Sequence, residues 1–341
     1  SISISLMSFL NIIYSYYFNL YLNLDSYVYS LIISLFLGIL FQFKKKDKIK
    51  ITIYQKIATV IAGYLFLPIL ISIPYYLSIY NISFLDSYFE SISGFTSTGF
   101  SIFTNIKHLD ESIILWRSSS QWLGGLYFLF SIILLIDIFD INLKKSLTNF
   151  LSLNIAESLK QYSKIFILYT SLTFLIFLIL NIFGLRVFDA FNLSMTVISS
   201  GGFLPVNNLS EIINTNTKEI ILSLLMLLSF FSLYLSYNLV TIKKNINFYQ
   251  EDFYLLIYLF CIISIIYYLD GFNNNFSSLL LSITSSISNI GFSTDGAYEN
   301  ISFVLLILTI IGGSFFSTSS GLRFVKLYSL FVFTINELIS H

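Results

Sequence analysis

Long apolar runs alternate with short polar segments along most of the chain. Eight runs rich in Ile, Leu, Phe and Tyr reach or approach the roughly 20 residues that an α-helix needs to cross the ~30 Å hydrocarbon core of a bilayer. These runs are residues 5–22, 27–43, 57–79, 113–136, 163–183, 219–242, 253–269 and 301–333. The pattern therefore predicts an all-α integral membrane protein that crosses the bilayer several times.

Composition distinguishes this interpretation from a soluble helical protein with a large apolar core. Hydrophobic residues occupy 56% of the 341 positions, charged residues occupy 11%, and the mean hydropathy is +0.82. A soluble domain carries about 25% charged residues to cover its surface. The composition therefore favours the membrane protein.

The basic residues predict which loops face the cytoplasm. If the chain enters the membrane from the cytoplasm and then alternates, 14 of the 18 Lys and Arg residues share one side. They are Lys44, Lys45, Lys46, Lys48, Lys50, Lys56, Lys144, Lys145, Lys160, Lys164, Lys243, Lys244, Arg323 and Lys326. The positive-inside rule assigns that side to the cytoplasm. The longest cytoplasmic connection, residues 142–164, is either a solvated linker or a docking segment for a regulatory partner.

Acidic residues concentrate in the segments assigned to the external side. They are Asp86, Glu90, Asp110, Glu111, Asp189, Glu211, Asp270, Asp295 and Glu299. Taken singly, each carboxylate is best interpreted as a solvated loop residue. Taken together, a rim of carboxylates would concentrate cations at that surface.

Cysteine and histidine are too few for several kinds of chemistry. Cys261 is the only cysteine, so no disulfide can form within the chain, and it is interpreted as a small core or lipid-facing residue. With His108 and His341 as the only histidines, no Cys/His metal cluster is possible. Neither G-x-x-x-x-G-K-[ST] nor G-x-G-x-x-G occurs, so nucleotide binding by these motifs is excluded. A membrane enzyme with an intramembrane Ser or Asp is an alternative, but the histidines are poorly placed to act as its base.

Three segments of the chain have the same pattern. Residues 88–101, 190–204 and 279–294 are each moderately apolar, rich in Ser and Thr, and contain a Gly-Phe pair. The three glycines are Gly99, Gly202 and Gly291, separated by 103 and 89 residues, enough for two spanning helices, a re-entrant loop and their connections. The pattern predicts repeated helix–re-entrant pore loop–helix units. The predicted divisions are 1–50 (a preliminary helix pair with its basic connection), 51–142, 143–246 and 247–341 (the three repeats).

Each of these segments suits a half-helix that dips into the membrane and returns as extended backbone. It is too short to cross ~30 Å as a helix and too apolar for an ordinary aqueous loop. Extended backbone at membrane depth is tolerated only where it is buried in protein or lines water. The partially negative C-terminal end of the half-helix, followed by backbone carbonyls, can replace the hydration shell of a cation.

Five stretches resemble the membrane subunit of the Trk/Ktr/HKT potassium transporter superfamily. They are FESISGFTSTGFS (89–101), WRSSSQWLGGL (116–126), VISSGGF (197–203), SNIGFSTDG (288–296) and GGSFFSTSSGLRFVK (312–326). The resemblance extends over almost the whole chain. It implies potassium uptake across the cytoplasmic (inner) membrane by a multi-pass protein that is not an enzyme and has no cofactor, with K⁺ as the transported ion.

The resemblance implies a selectivity filter in the three loops. Its residues would be Thr96, Ser97, Thr98, Gly99, Ser199, Ser200, Gly201, Gly202, Ser288, Asn289, Ile290 and Gly291. In this superfamily, glycine at the position of Gly99 accompanies potassium selectivity, and serine there accompanies sodium transport in plant relatives. The third loop departs from the common Thr-Thr-Gly pattern at Asn289 and Ile290. Because backbone carbonyls coordinate the ion, this departure weakens the resemblance only slightly.

The last apolar run, 301–333, is too long for one spanning helix and has a centre rich in Gly and Ser, which weakens a helix. The resemblance implies an intramembrane gating loop beneath the filter. Its residues would be Gly312, Gly313, Ser317, Thr318 and Gly321. The alternative is a small-residue face for close helix packing. Ser319 and Ser320 stand where relatives often have glycine, which would make the loop less mobile.

Arg117 begins the helix that follows the first loop. An arginine at this depth either extends to the external interface or holds the pore loop by hydrogen bonds. We favour the second, scaffolding role over direct contact with the ion.

The resemblance also implies partners and a larger molecule. Relatives assemble as homodimers with one pore per protomer, upon cytoplasmic nucleotide-binding regulatory subunits; no nucleic-acid partner is expected. The superfamily builds its pore from four repeats, and three are visible here. We therefore expect the coding sequence to continue beyond Ser1 and His341. The alternatives are a three-repeat protein that borrows its fourth quadrant from a partner, and a non-conducting structural or remnant protein.

Overall fold

The computed structural model describes residues 1–43, 52–135, 155–233, 250–269, 275–292 and 301–340. Several predictions concern residues outside these ranges: the lysines at 44–50, 144–145 and 243–244, and Asp270, Asp295 and Glu299. The chain divides into two compact units, Ser1–Ile167 and Leu168–His341. This division is coarser than the repeat boundaries expected from the sequence, which stay a prediction.

The first unit contains five helices within its described residues, together with the beginning of a sixth. They are α1 (Ile2–Tyr17), α2 (Leu24–Phe43), α3 (Ile53–Tyr76), α4 (Phe84–Phe95), α5 (Glu111–Leu134) and α6 (Ile155–Ile182), with a 3-10 turn at Ile106–His108 before α5. The short helix α4 packs against both α3 and α5. The predicted helix–loop–helix unit therefore forms, with α4 as the half-helix between two long helices.

Helix α1 is shorter than the apolar run that predicted it. The run 5–22 suggested one spanning helix, but α1 ends at Tyr17 and Asn19 adopts a left-handed conformation with φ of 57°. Its 16 residues span about 24 Å, less than the ~30 Å hydrocarbon core. The prediction of a helix over the whole run was therefore wrong, because the backbone turns at Asn19 although the residues around it remain apolar.

The face that α1 buries carries four polar residues beside Ile4 and Met7, and the face that it exposes is apolar. Ser5, Ser8, Asn11 and Ser15 are among its buried residues, and the Ser8 hydroxyl lies 3.0 Å from that of Ser30 on α2. Large apolar side chains such as Phe9 are exposed. Small residues at helix contacts and apolar residues outside are typical of helices packed in lipid.

The second unit contains the rest of α6 and the remaining described elements. These are α7 (Val187–Ser199), a 3-10 turn (Leu209–Glu211), α8 (Asn216–Phe230), α9 (Gln250–Leu269), α10 (Phe276–Ile287), α11 (Ser302–Ile310), β1 (Ile311–Gly312), β2 (Leu322–Arg323) and α12 (Phe324–Ser340). Apolar side chains of α8, α9, α10 and α11 form one buried cluster around α10, including Phe230, Leu255, Leu279, Ile283 and Leu308. A second half-helix–hairpin unit is thus packed around its own core.

Two other apolar runs are interrupted. The run 301–333 forms α11 and α12 with a loop between them, as the sequence predicted; the loop is closed by a two-residue parallel bridge that pairs Ile311 with Leu322 and Gly312 with Arg323. The run 219–242 was expected to be one helix, but α8 ends at Phe230, and the amide of Leu233 binds the carbonyl of Phe316 instead (2.9 Å). That expectation was wrong, because the backbone here pairs with the loop.

By length and composition, two helices among the described residues are long and apolar enough to cross a membrane, over Ile53–Tyr76 and Tyr162–Ile182. Five shorter apolar helices accompany them. Two such helices are weak support for a membrane protein when taken alone, so the assignment depends on the half-helices and on the family of the chain.

Candidate functional site

Three short helices end at the three Gly-Phe segments. Helices α4, α7 and α10 have 12, 13 and 12 residues. At 1.5 Å per residue each is about 18–20 Å long, roughly half to two thirds of the hydrocarbon core. The length suits a re-entrant half-helix, as the sequence predicted.

The backbone that follows each half-helix repeats the same conformation. A non-glycine residue with positive φ comes first, and a glycine with positive φ follows two positions later. The pairs are Ser97 (54°) and Gly99 (83°), Ser200 (54°) and Gly202 (93°), and Asn289 (58°) and Gly291 (81°). Glycine adopts this region without steric penalty, which explains the three glycines on which the sequence analysis relied.

The hydrogen bonds that close each half-helix repeat as well. An amide binds the carbonyl three residues earlier, and the next amide binds the carbonyl five residues earlier. The first bonds are Ser97 N to Gly94 O (2.9 Å), Ser200 N to Val197 O (3.2 Å) and Asn289 N to Ser286 O (3.2 Å); the second are Thr98 N to Ser93 O (2.8 Å), Gly201 N to Thr196 O (2.8 Å) and Ile290 N to Ser285 O (3.0 Å). The three loops therefore share one local structure.

The loops differ in burial. In the first unit, Thr96, Thr98 and Phe100 are exposed, while Ser97 and Gly99 are half-buried. In the second unit most of the candidate filter residues are buried: Ser199, Ser200, Gly201, Ser288 and Ile290. A hydroxyl also supports the returning backbone in two loops, from Ser93 to the carbonyl of Phe100 and from Thr196 to that of Phe203.

Arg117 is held in a buried ion pair behind the first loop. Its Nε lies 2.8 Å from Oε1 of Glu90, and the two side chains are 1% and 0% exposed. The guanidinium also donates to the Ser101 hydroxyl (2.9 Å), and Glu90 accepts from Ser101 and from the amide of Ile102 (3.0 and 2.9 Å). Because Arg117 is buried, its extension to the external interface is excluded.

Glu90 requires a correction. The sequence placed it among external carboxylates, each interpreted singly as solvated, yet it is fully buried in α4. It joins the half-helix to the backbone that leaves the filter segment. The only signal for this role in the sequence was a carboxylate in the middle of an otherwise apolar segment, which does not identify its partner.

Gly124 allows α5 to touch the C-terminal end of α4. A Cβ atom at this position would lie 1.9 Å from the carbonyl oxygen of Phe95, the last residue of α4. Since that atom belongs to the backbone, it cannot move aside as a side chain could. Gly124, the first glycine of the WLGG motif, therefore sets the distance between α5 and the half-helix α4.

The loop between α11 and α12 is paired with the end of α8. The amides of Ser314 and Ser319 bind the carbonyls of Phe230 and Ser229 (3.0 and 3.1 Å). At Gly313, a Cβ would lie 2.3 Å from the carbonyl oxygen of Phe230. The small residues do not form a helix-packing face, the alternative interpretation, because the helix is interrupted here; Gly313 instead lets the loop approach the carbonyl of Phe230, and the gating role stays a prediction.

Arg323 holds the interior of the same loop. Its guanidinium donates to the carbonyl of Ser314 (3.1 Å), to the hydroxyl and carbonyl of Ser317 (3.0 and 3.4 Å) and to the carbonyl of Ser319 (2.8 Å). Gly321, with φ of 85°, turns the chain back towards β2. From the sequence, Arg323 was only one of the basic residues assigned to the cytoplasmic side, and this role could not be predicted because its acceptors are carbonyls that no motif marks.

Asp252 is a second buried polar residue that the sequence analysis missed. It is 1% exposed, and its Oδ1 accepts from the amide of Ser232, just beyond the end of α8 (3.1 Å). A carboxylate in the first turn of an apolar helix is usually interfacial, so the sequence around Asp252 did not indicate its contact with Ser232.

Three short helices, each followed by a loop of the same conformation, and an interrupted helix are features typical of helical membrane proteins that pass ions through a protein-lined route. The family model described as "TrkH: Cation transport protein" matches residues 25–264. The chain belongs to this TrkH family of cation transport proteins, and it is therefore a membrane protein.

Individual relatives agree with the family. The chain is 29% identical to "Uncharacterized cation transporter MJ1485" of Methanocaldococcus jannaschii over 334 residues, covering 94% of this chain and 69% of the relative. It is 26% identical to "Trk system potassium uptake protein TrkH" of Escherichia coli K12 over 276 residues, covering 74% of this chain and 56% of the relative. The chain thus spans little more than half the length of the latter.

The fold is also that of a solved structure. The crystal structure of the potassium transporter TrkH from Vibrio parahaemolyticus superposes with a TM-score of 0.77 and 20% sequence identity, covering 98% of this chain and 75% of that one. This likeness confirms the predicted all-α membrane fold.

Proposed function

We propose that this protein takes up potassium ions across the cytoplasmic membrane through a protein-lined pore. The observation that carries the proposal is the repeated backbone of the three loops, with paired left-handed residues at 97 and 99, 200 and 202, and 289 and 291. The family and the relatives named as potassium uptake proteins support the choice of ion.

The filter acts through backbone carbonyls. Carbonyl oxygens of each loop can replace part of the hydration shell of K⁺, and each half-helix directs its partially negative end at the loop that follows it. The filter residues are those that the resemblance indicates, 96–99, 199–202 and 288–291. Gly99 is the residue that favours potassium over sodium. Arg117 and Glu90 support the first loop without touching the ion.

The loop at 312–321 acts as the gate. It lies between α11 and α12 and next to the end of α8. Its backbone forms hydrogen bonds with the backbone at that end of α8. Glycine at 312, 313 and 321 permits the turns, and the serines and Thr318 supply hydroxyls that satisfy freed carbonyls.

The assembly follows the superfamily. The protein forms a homodimer with one pore in each protomer, and a cytoplasmic nucleotide-binding subunit regulates it. The resemblance supports both partners, and the polar connection at 142–164 is the docking segment.

Uptake measurements test the function directly. We expect the protein, expressed from its complete coding sequence in potassium-uptake-deficient bacteria, to restore growth on low potassium and to take up rubidium in preference to sodium. Gly99→Ser should reduce that preference about tenfold or more, because a side chain disfavours the left-handed backbone of the filter.

Gly313→Ala is the comparison variant at the proposed gate, where the added Cβ would lie 2.3 Å from the carbonyl oxygen of Phe230 and would displace the loop. It should change the rate of uptake more than the ion preference. No rubidium uptake from membrane-inserted protein would contradict the function. An unchanged preference in Gly99→Ser would remove the first loop from the filter.

A further inference from the structure

The gating loop is hydrogen-bonded to the half-helices of the second unit. The Thr318 hydroxyl donates to the carbonyl of Ile198 at the end of α7 (2.7 Å). The hydroxyl of the next residue, Ser319, donates to the carbonyl of Ile287 at the end of α10 (3.3 Å). The two residues are consecutive in the chain, and each reaches a different half-helix.

The two acceptors occupy equivalent positions. Ile198 precedes Gly202 by four residues, and Ile287 precedes Gly291 by four residues. In both loops the repeated closing bonds use carbonyls of the residues just before these two: those of Thr196 and Val197 in one loop, and those of Ser285 and Ser286 in the other. These turns therefore do not use the helix-end carbonyls of Ile198 and Ile287, and the hydroxyls of Thr318 and Ser319 in the loop donate to them instead.

The loop also contacts the third filter segment itself. The side-chain amide of Asn289, the left-handed residue of that segment, donates to the carbonyl of Ser320 (3.4 Å). Asn289 is one of the two positions at which the sequence departs from the common pattern of its superfamily. The side-chain amide of asparagine reaches the carbonyl of Ser320, whereas the side chain of the threonine in the common pattern is shorter.

These hydroxyls are buried with few other acceptors. Ser319 is fully buried and Thr318 is half-buried. For Thr318 the other acceptor, the carbonyl of Ser229, is farther away (3.4 Å) than that of Ile198. For Ser319 the carbonyls of Ile287 and Ser320 are at nearly the same distance (3.3 and 3.4 Å). Because Arg323 fixes the loop from inside, the two hydroxyls are held at the ends of α7 and α10 as long as the loop is closed.

We propose that Thr318 and Ser319 are positioning residues that couple the gate to the selectivity filter. In the closed state they fix the carbonyls that precede the second and third filter segments. When the loop moves away, it withdraws both donors, and these carbonyls become free to turn towards water or an ion. The position of the loop and the conformation of these two carbonyls are therefore linked. This inference rests on the proposed function.

Removing the hydroxyls tests the coupling. Thr318→Val and Ser319→Ala should each raise rubidium uptake by roughly two- to tenfold, the effect of one net hydrogen bond on the opening equilibrium. Neither should change the preference for rubidium over sodium, because ions pass only after the loop and its two hydroxyls have moved away. Thr318→Ser and Ser319→Thr keep the hydroxyl and should restore the original rate of uptake.

Matched controls are available on the same hairpin. Thr309→Val and Ser329→Ala make the same chemical changes at hydroxyls that bind only carbonyls of their own helix, Leu306 and Lys326. Both should leave rate and preference unchanged. Unchanged uptake by Thr318→Val and Ser319→Ala would overturn the coupling.

A chemical measurement tests the link between the filter and the loop with both hydroxyls in place. In a Cys261→Ser background, the thiol introduced by Ser320→Cys, at an exposed position of the loop, should react with a thiol reagent at least twofold more slowly in K⁺ than in choline, because an occupied filter holds the loop. The difference should disappear when Thr318→Val and Ser319→Ala are added, and Thr309→Cys should react equally in both solutions. Equal rates for Ser320→Cys in a protein that takes up rubidium would overturn the coupling and leave the proposed function standing; an absence of uptake would overturn the function itself.

Discussion

At the scale of single residues, the first unit contains a buried ion pair between Glu90 and Arg117. Both groups are removed from solvent, so each needs the other and additional hydrogen bonds to offset its desolvation. Ser101 and the amide of Ile102 provide those bonds. The pair thereby ties the half-helix α4 to the backbone that leaves the filter segment.

Removing one charge of this pair should destabilise the protein strongly, and removing both charges should destabilise it less. We expect Glu90→Gln or Arg117→Gln to destabilise the protein by about 3–5 kcal/mol, because each leaves one buried charge without its partner. The double variant should lose markedly less than the sum of the two. Thermal unfolding of detergent-solubilised protein measures the three effects.

Asp86→Asn is the control on the same half-helix. Its carboxylate is exposed and accepts only a local bond from Ser83 (2.7 Å), so its loss should be small. Strictly additive effects of the two buried substitutions would show that Glu90 and Arg117 do not act as a pair.

At the scale of elements, the broken hairpin of α11 and α12 shows how a membrane protein tolerates irregular backbone. Helix-end groups without partners are unfavourable in lipid, and here the loop satisfies them with backbone amides, hydroxyls and one guanidinium. The parallel bridge closes the ends of the loop, and Arg323 fills its interior. The loop is thus an ordered element that has to break several bonds to open.

Arg323 should determine how often the loop opens. Arg323→Gln removes the planar fork that binds three serine residues, and hydrogen bonds to charged groups are each worth about 1.5–3 kcal/mol. We expect amide hydrogen exchange across residues 312–321, measured by mass spectrometry, to accelerate at least tenfold. Lys326→Gln removes a charge nearby from an exposed side chain and should leave the exchange unchanged. Equal exchange in the two variants would show that the bridge alone keeps the loop closed.

At the scale of the whole molecule, the distribution of charge predicts the orientation in the membrane. Asn105 and Asn207 follow the first and second half-helix loops, whereas Lys145 and Lys244 belong to the basic segments. The positive-inside rule places the first pair outside and the second pair in the cytoplasm.

Labelling of single cysteines checks this orientation. In a Cys261→Ser background, Asn105→Cys and Asn207→Cys should react with an impermeant reagent in intact cells. Lys145→Cys and Lys244→Cys should react only after permeabilisation. Reaction of either of the latter in intact cells would reverse the assignment.

Much of the architecture was predictable from the sequence because the bilayer imposes local requirements. Run length indicates a helix that reaches across the apolar core, and a short Ser/Thr-rich segment that ends in Gly-Phe indicates a half-helix followed by left-handed backbone. The same local chemistry predicted the break near Gly313. Helix ends were less predictable: α1 stops at Tyr17 and α8 at Phe230, although the residues that follow are still apolar.

The sequence by itself therefore determined the class of protein, its three loops and the interrupted hairpin, because hydropathy and glycine act within a few residues. Only the tertiary structure decided the polar pairs: Glu90 with Arg117, Arg323 with the loop carbonyls, and Thr318 and Ser319 with two half-helix ends. Within apolar surroundings every polar group requires a partner, but many serines and carbonyls could meet that requirement. For Glu90 with Arg117 and for the two half-helix contacts, the choice depends on distances between residues that are 27 to 120 positions apart in the chain. For Arg323 the acceptors are only four to nine positions away, but the fold of the loop brings them together.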